Sequence, residues 1–198
     1  MSKYYIYIVL TRTSTTLSKL IHFFTKDDYT HAAISLDKNL NSMFSFGRKN
    51  THNPFIGRFK KENINEGIYG ICKTLPGTIL EVEVTKQQYE KIEEMLWHFQ
   101  CNSHIYKYNY KGLISNLINR PVYYDNRFLC SEFVYYILNK SGVLELNMPR
   151  NLVRPQNLLG AASTSIYEGD LKEMGSNESA LILNDFNLRK LGRIYEQA

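Results

Sequence analysis

The stretch Phe128-Leu129-Cys130-Ser131-Glu132-Phe133-Val134 places a cysteine where a polar loop turns into a helix. After Cys130, apolar residues recur at Val134, Ile137 and Leu138, the spacing of one helix face. Upstream, Tyr124-Asp125-Asn126-Arg127 is loop chemistry in which Asp125 or Asn126 can cap, and Gly142 after Ser141 is a C-terminal stop. Cys130 therefore falls in the first turn, where free backbone N–H groups and the helix dipole favour an anion. A thiol in that setting has a lowered pKa and becomes a nucleophile. The competing reading is an inert packed cysteine, because free cysteines are among the most buried residue types. A partner histidine elsewhere in the chain decides between the two.

His31 is the candidate. Thr30 to Leu36 alternates as a strand, with His31, Ala33 and Ser35 on one face and Ala32, Ile34 and Leu36 on the other. Asp37-Lys38-Asn39 reads as a three-residue hairpin loop with Asn39 in the left-handed position, and the return strand runs from Leu40 to Phe46. That loop pairs Leu36 with Leu40 and so sets Ser45 opposite His31, with Cβ atoms roughly 4.5–5.5 Å apart. A slip of one residue turns Ser45 to the other face. A cysteine nucleophile needs a base within hydrogen-bond reach, and the base needs a third polar group to hold its ring. Cys130, His31 and Ser45 fit these roles when the cysteine helix packs against the His31 face. Ser45 is the weakest of the three, since a hydroxyl orients a ring nitrogen but adds no charge to stabilise an imidazolium. Taken alone, His31 reads more readily as a structural histidine than as a base. Glu132, two residues after Cys130, points away from it on a helix and reads as a cleft or capping residue.

The remaining chain supplies an ordinary α+β pattern. Tyr4 to Leu10 is apolar or aromatic throughout, as in a strand buried on both faces. Ser14 or Thr15 can cap a helix with the stripe Leu17, Leu20, Ile21 and Phe24. Gly47 to Glu66 reads as irregular and basic; Gly67 to Leu75 and Thr78 to Val84 read as strands joined by a Pro76-Gly77 turn. Thr85 caps a helix with the stripe Tyr89, Ile92, Met95, Leu96 and Phe99, and a short helix is expected within Tyr106 to Asn119. Beyond the cysteine helix come a short helix near Gln156 to Ala162, a strand within Ser165 to Met174 and weak helical spacing from Asn184 to Tyr195.

Composition narrows the function classes. The 198 residues suit one domain with its own core, and 43% hydrophobic with 22% charged residues argues against disorder. The net charge of +5 is scattered without a long basic run, so nucleic-acid binding is not expected; a reading through the basic Arg48 to Lys61 segment stays open as the weakest one. Arg12 and Arg48 follow strands and read as surface arginines. Three widely spaced cysteines, Cys72, Cys101 and Cys130, imply no disulfide framework, and Cys72 reads as a core position on a strand. His98-x-x-Cys101-x-x-His104 has three metal-ligating types but no second cluster to complete a zinc site, so it reads as a helix end. The apolar run Tyr4 to Leu10 is too short for a signal peptide, and no run reaches membrane-spanning length, so the expectation is a cytoplasmic chain without a transmembrane segment.

Three segments together resemble a known family. Thr13-Ser14-Thr15-Thr16-Leu17-Ser18-Lys19-Leu20-Ile21, Tyr29-Thr30-His31-Ala32-Ala33-Ile34 and Leu129-Cys130-Ser131-Glu132-Phe133-Val134 are similar to the YiiX-like permuted branch of the NlpC-type papain-like cysteine peptidases, in which histidine precedes cysteine. The resemblance covers Tyr4 to Phe46 and Phe128 to about Leu159, including the proline-punctuated segment Pro149 to Pro155; residues 47–122 are a variable middle within one domain spanning 1–198. It implies an α+β, circularly permuted papain-like fold: an antiparallel sheet packed against helices, with the nucleophile at a helix N-terminus. It implies Cys130 as nucleophile, His31 as base and Ser45 at the third polar position, where the family more often has histidine, asparagine, glutamine or an acid. The expected activity is a cysteine hydrolase acting on an amide, peptide, isopeptide or ester through a thioacyl intermediate, with the Cys130 backbone N–H in the oxyanion hole and no metal or organic cofactor. The alternatives are an acyl-lipid amidase or acyltransferase on the same triad, and a binding module that kept the fold.

Overall fold

The structure is a computed structural model that describes residues 3–13, 15–48, 57–161 and 164–174. Strand β1 (Tyr4–Thr11) is buried along six consecutive residues, as its unbroken apolar run requires. Helix α1 (Thr16–Thr25) follows, with the Thr15 hydroxyl accepting from Ser18 N–H, and Lys26 ends it in the left-handed conformation at φ 58°. Strands β2 (His31–Ser35), β3 (Met43–Arg48) and β4 (Gly57–Glu62) come next, then the short helix α2 (Gly67–Ile71), strand β5 (Pro76–Val84) and helix α3 (Lys86–Cys101). The two-residue strands β6 (Lys107–Tyr108) and β7 (Arg127–Phe128) flank helix α4 (Tyr110–Leu117), and helix α5 (Cys130–Lys140) leaves β7 directly. Two 3-10 turns, Arg150–Leu152 and Pro155–Ala161, lead to β8 (Thr164–Asp170).

These strands form a six-stranded sheet in the order β4-β3-β2-β1-β5-β8, antiparallel at every pairing. The protein is thus α+β. One face of the sheet (Ile6, Ile8, Leu10, Ala32, Ile34, Phe46) packs against α5 and α3 through Phe133, Ile137, Leu96 and Phe99. The opposite face (Tyr7, Val9, Ala33, Met43) is covered in part by Tyr69 of α2 and by Leu75 and Leu171. Phe133 lies inside the aromatic cluster of the larger core, with ring centroids 5.0 Å from Phe99, 5.3 Å from Phe46 and 5.5 Å from Phe59.

Several local expectations give way to tertiary context. The β2–β3 connection is longer than a three-residue loop. Asp37 accepts the N–H groups of Asn41 and Ser42, Leu40 rather than Asn39 takes the left-handed position at φ 59°, and Ser35 pairs with Met43. Of the segment read as irregular, residues 57–62 form β4, held to β3 by backbone pairing and by the buried Phe59. Residues 67–71, read as a strand, are helical, and Cys72 is buried at the end of that helix. Pro76 and Gly77 pair within β5 instead of forming a turn, because their strand faces β8. The tail from Asn184 to Tyr195 lies outside the described residues. Among the described residues no helix is long and apolar enough to cross a membrane.

Candidate active site

Cys130 is the first residue of α5, as the loop-to-helix reading requires, but the cap is different. Leu129 is the extended residue before the helix, and its N–H donates to Glu132 Oε2 at 3.0 Å. Glu132 therefore caps the helix from inside its own first turn, in place of Asp125 or Asn126. The carboxylate is fully buried; Oε1 accepts Arg150 Nε at 3.0 Å and Oε2 also accepts Asn109 Nδ2 at 3.3 Å. Burial raises its pKa, although the Leu129 N–H and the Arg150 guanidinium act in the opposite sense. Its two oxygens are spent on holding the helix start, which fixes Cys130 in space.

His31 opens β2 at the same end of the sheet, lines one cleft with Cys130, and is close enough for the charge of each to shift the other. The other partner of the ring is a residue that sequence reading missed. Nε2 lies 3.0 Å from Oε2 of Glu62, the last residue of β4. With Nε2 committed to the acid, Nδ1 is the nitrogen left to face sulfur. Glu62 is itself anchored: Lys60 Nζ stands 3.0 Å from Oε1, and the Tyr69 hydroxyl donates to Oε2 at 3.2 Å. Gly47 makes space for this cluster, since a Cβ there would stand 3.1 Å from Lys60 Cε and 3.3 Å from Glu62 Oε1.

Ser45 is not the third member. The β2–β3 register pairs Ile34 with Phe44; carried back, it sets Ser45 beside Ala33 and Gly47 beside His31. The Ser45 hydroxyl is buried and donates to the Ala32 carbonyl at 2.6 Å. The longer connection shifts the pairing by two residues, so Ser45 keeps its face but loses its place opposite His31. The only trace of Glu62 in the sequence is an acid closing a basic run, Arg58-Phe59-Lys60-Lys61-Glu62, with a single apolar residue to mark a strand.

The electrostatics follow from this row of groups. Burial opposes charge on all three, but their neighbours outweigh it. Burial tends to raise the Glu62 pKa, yet the charge of His31 and then the Lys60 ammonium hold it at about 2. Burial tends to lower that of His31, yet the Glu62 carboxylate and then Cys130 push it up to about 10. For Cys130, burial pulls upward, while His31 and the N–H groups of Ala32 and Ser131 bring the thiol below its ordinary value. The arrangement favours a thiolate beside an imidazolium beside a carboxylate.

Cys130 lines two clefts. The first, about 60 Å³, is lined by Thr13, Ser18, His31, Gly47, Tyr69 and Cys130. The second, about 30 Å³, shares Ile21, Thr30, Tyr108 and Cys130 with the first and continues between α1 and α4 along Leu113 and Leu117. Cys130 thus sits at their junction. No group of three or more histidine, cysteine or acidic residues able to hold a metal occurs among the described residues, and His98 Nε2 instead meets the Tyr106 hydroxyl at 3.1 Å. Comparison with protein-family models, curated proteins and solved structures gave no match.

Proposed function

We propose that this protein is a cysteine hydrolase that cleaves an amide or ester bond through a thioacyl intermediate, on a permuted papain-like arrangement in which the histidine strand precedes the cysteine helix. The observation that carries this reading is the position of His31, between the Cys130 thiol and a Glu62 oxygen 3.0 Å away. A carboxylate in the third role does what a serine cannot: it stabilises the imidazolium as well as orienting it. The acid comes from β4, one strand further along than the third position of the resembled family.

In the reaction, the Cys130 thiolate adds to the substrate carbonyl carbon, and the oxyanion receives hydrogen bonds from first-turn N–H groups of α5, that of Cys130 included. His31 gives its proton to the departing amine or alcohol, the C–N or C–O bond breaks and a thioester remains. Neutral His31 then takes a proton from water as the water attacks the thioester. Collapse releases the acid, returns the sulfur as thiolate and leaves His31 protonated again. The apolar walls of the second cleft favour an aliphatic acyl amide or ester as a second reading within the same chemistry, alongside a peptide or isopeptide.

Alkylation of Cys130 by neutral iodoacetamide, followed by mass spectrometry across pH, tests the assignment without a known substrate. The wild type is expected to react well below an ordinary thiol's pKa of about 8.5, and His31→Ala to move the profile back up. A Cys130 that is inert, or indifferent to His31, ends the hydrolase reading.

A further inference from the structure

We infer that the second cleft beside Cys130 receives an oxyanion of the substrate, carboxylate or phosphate, with Arg154 as the specificity-determining residue. The inference deepens the proposed reaction and rests on Cys130 being the reacting atom.

Arg154 and Cys130 line the same narrow cleft, whose walls between them include Ile21, Leu113, Leu117 and Leu129. The backbone of Arg154 is fixed on both sides: Val153 is fully buried, and the Arg154 N–H donates to Asn157 Oδ1 at 2.8 Å. The guanidinium is fixed as well. Its Nε donates to Asn116 Oδ1 at 3.2 Å, and buried Asn116 is locked in that orientation by its Nδ2 donating to the Asn151 carbonyl at 2.8 Å.

This geometry uses Nε and leaves the two terminal nitrogens of the guanidinium for the cleft that Arg154 lines. The contact made there is to Asp27 Oδ2, 3.9 Å from Nη1, too long for a hydrogen bond. A permanently charged group with its side chain only 31% exposed, anchored by a neutral amide and loosely balanced by an acid, has unused capacity. A carboxylate or phosphate matches the paired N–H groups of that edge. The apolar walls strengthen the attraction by excluding water. Asp27 balances the charge in the free protein and gives way when the ligand arrives. A cleft of about 30 Å³ lined by both Cys130 and Arg154 is narrow, so the segment it takes is an unbranched chain. The substrate class is therefore an amide or ester whose aliphatic or extended segment carries an anionic group on one side of the scissile bond.

Iodoacetamides carrying an alkyl chain ended by a carboxylate, against the same chains ended by a carboxamide, read this directly as a ratio of Cys130 alkylation rates. At the best-fitting length the acid should react about tenfold faster than the amide in the wild type, the worth of one charge-assisted contact. The ratio should fall to near one in Arg154→Gln and be partly retained in Arg154→Lys. A wild-type ratio of one or below at every length, or a preference that survives Arg154→Gln, overturns the inference. Calorimetry with hexanoate, hexyl phosphate and hexanamide needs no reactive sulfur and keeps the two claims separate. Anion binding that is lost in Arg154→Gln supports the cleft assignment even where Cys130 proves inert, and the stronger of the two anions identifies the source. Equal affinity for hexanamide and both anions refutes it even where Cys130 is a good nucleophile.

Discussion

His31 Nε2 and Glu62 Oε2 stand 3.0 Å apart, joining the first residue of β2 to the last residue of β4 across a sheet end that also holds Cys130. The contact belongs to a chain of dependence. Lys60 and Tyr69 hold the acid, the acid holds the imidazolium, and the imidazolium holds the thiolate. Glu62 is thereby a positioning residue, acting on the sulfur only through His31.

Glu62→Gln and Ser45→Ala should separate cleanly. The first removes the charge that sustains the imidazolium. It should raise the pH at which Cys130 alkylates and cut turnover by about 10² or more, within the range seen for general acid–base groups. The second removes a hydrogen bond to the Ala32 carbonyl and should cost about 1 kcal/mol of stability while leaving the alkylation profile in place. A Glu62→Gln profile no different from that of Ser45→Ala would remove Glu62 from the third role.

Stability should carry the signature of the same pair. His31 is raised to about 10 from 6.5, so its contribution is complete below 6.5 and lost as pH rises through about 10. Glu62 is lowered to about 2 from 4.5, so its contribution is complete above 4.5 and lost as pH falls through about 2. The urea midpoint of the wild type relative to Glu62→Gln should therefore show its largest gap between about pH 4.5 and 6.5. A gap that widens from neutral pH towards 10 contradicts the assignment.

Glu132 governs the helix start rather than the chemistry. Glu132→Ala strips Arg150 and the Leu129 N–H of a buried partner and should destabilise by about 3 kcal/mol, measured by denaturant unfolding. Glu132→Gln should cost less, because an amide oxygen still accepts from Leu129. If the alanine variant is as stable as the wild type, the internal cap contributes nothing.

Phe133 is fully buried among Phe46, Phe59 and Phe99, so Phe133→Ala should cost about 3–5 kcal/mol, read as a lowered unfolding midpoint. Because Phe133 lies one turn after Cys130 on α5, residual folded protein should also show slower Cys130 alkylation. Unchanged alkylation alongside the stability loss would mean that the helix start is held by Glu132 alone.

The sequence by itself determined the elements whose signals are local. The unbroken apolar run of β1, the Thr15 and Thr85 caps and the helix beginning at Cys130 each depend on neighbours a few residues away, and each stands where its pattern put it. His31 on a strand and Cys130 in a first helical turn were legible for the same reason. What only the tertiary structure decided is who stands beside them. Ser45 was assigned through a loop count, and Asp37 capping a longer connection moved the pairing by two residues. Glu62 lies on a strand with one buried apolar residue, Phe59, and four charged or small neighbours, a pattern that becomes a strand only because β3 offers its backbone. Burial then turned an ordinary-looking acid into a partner of His31, since a carboxylate without water must find its charges within the protein. Register and burial are properties of the assembled sheet, and no window of the chain contains them.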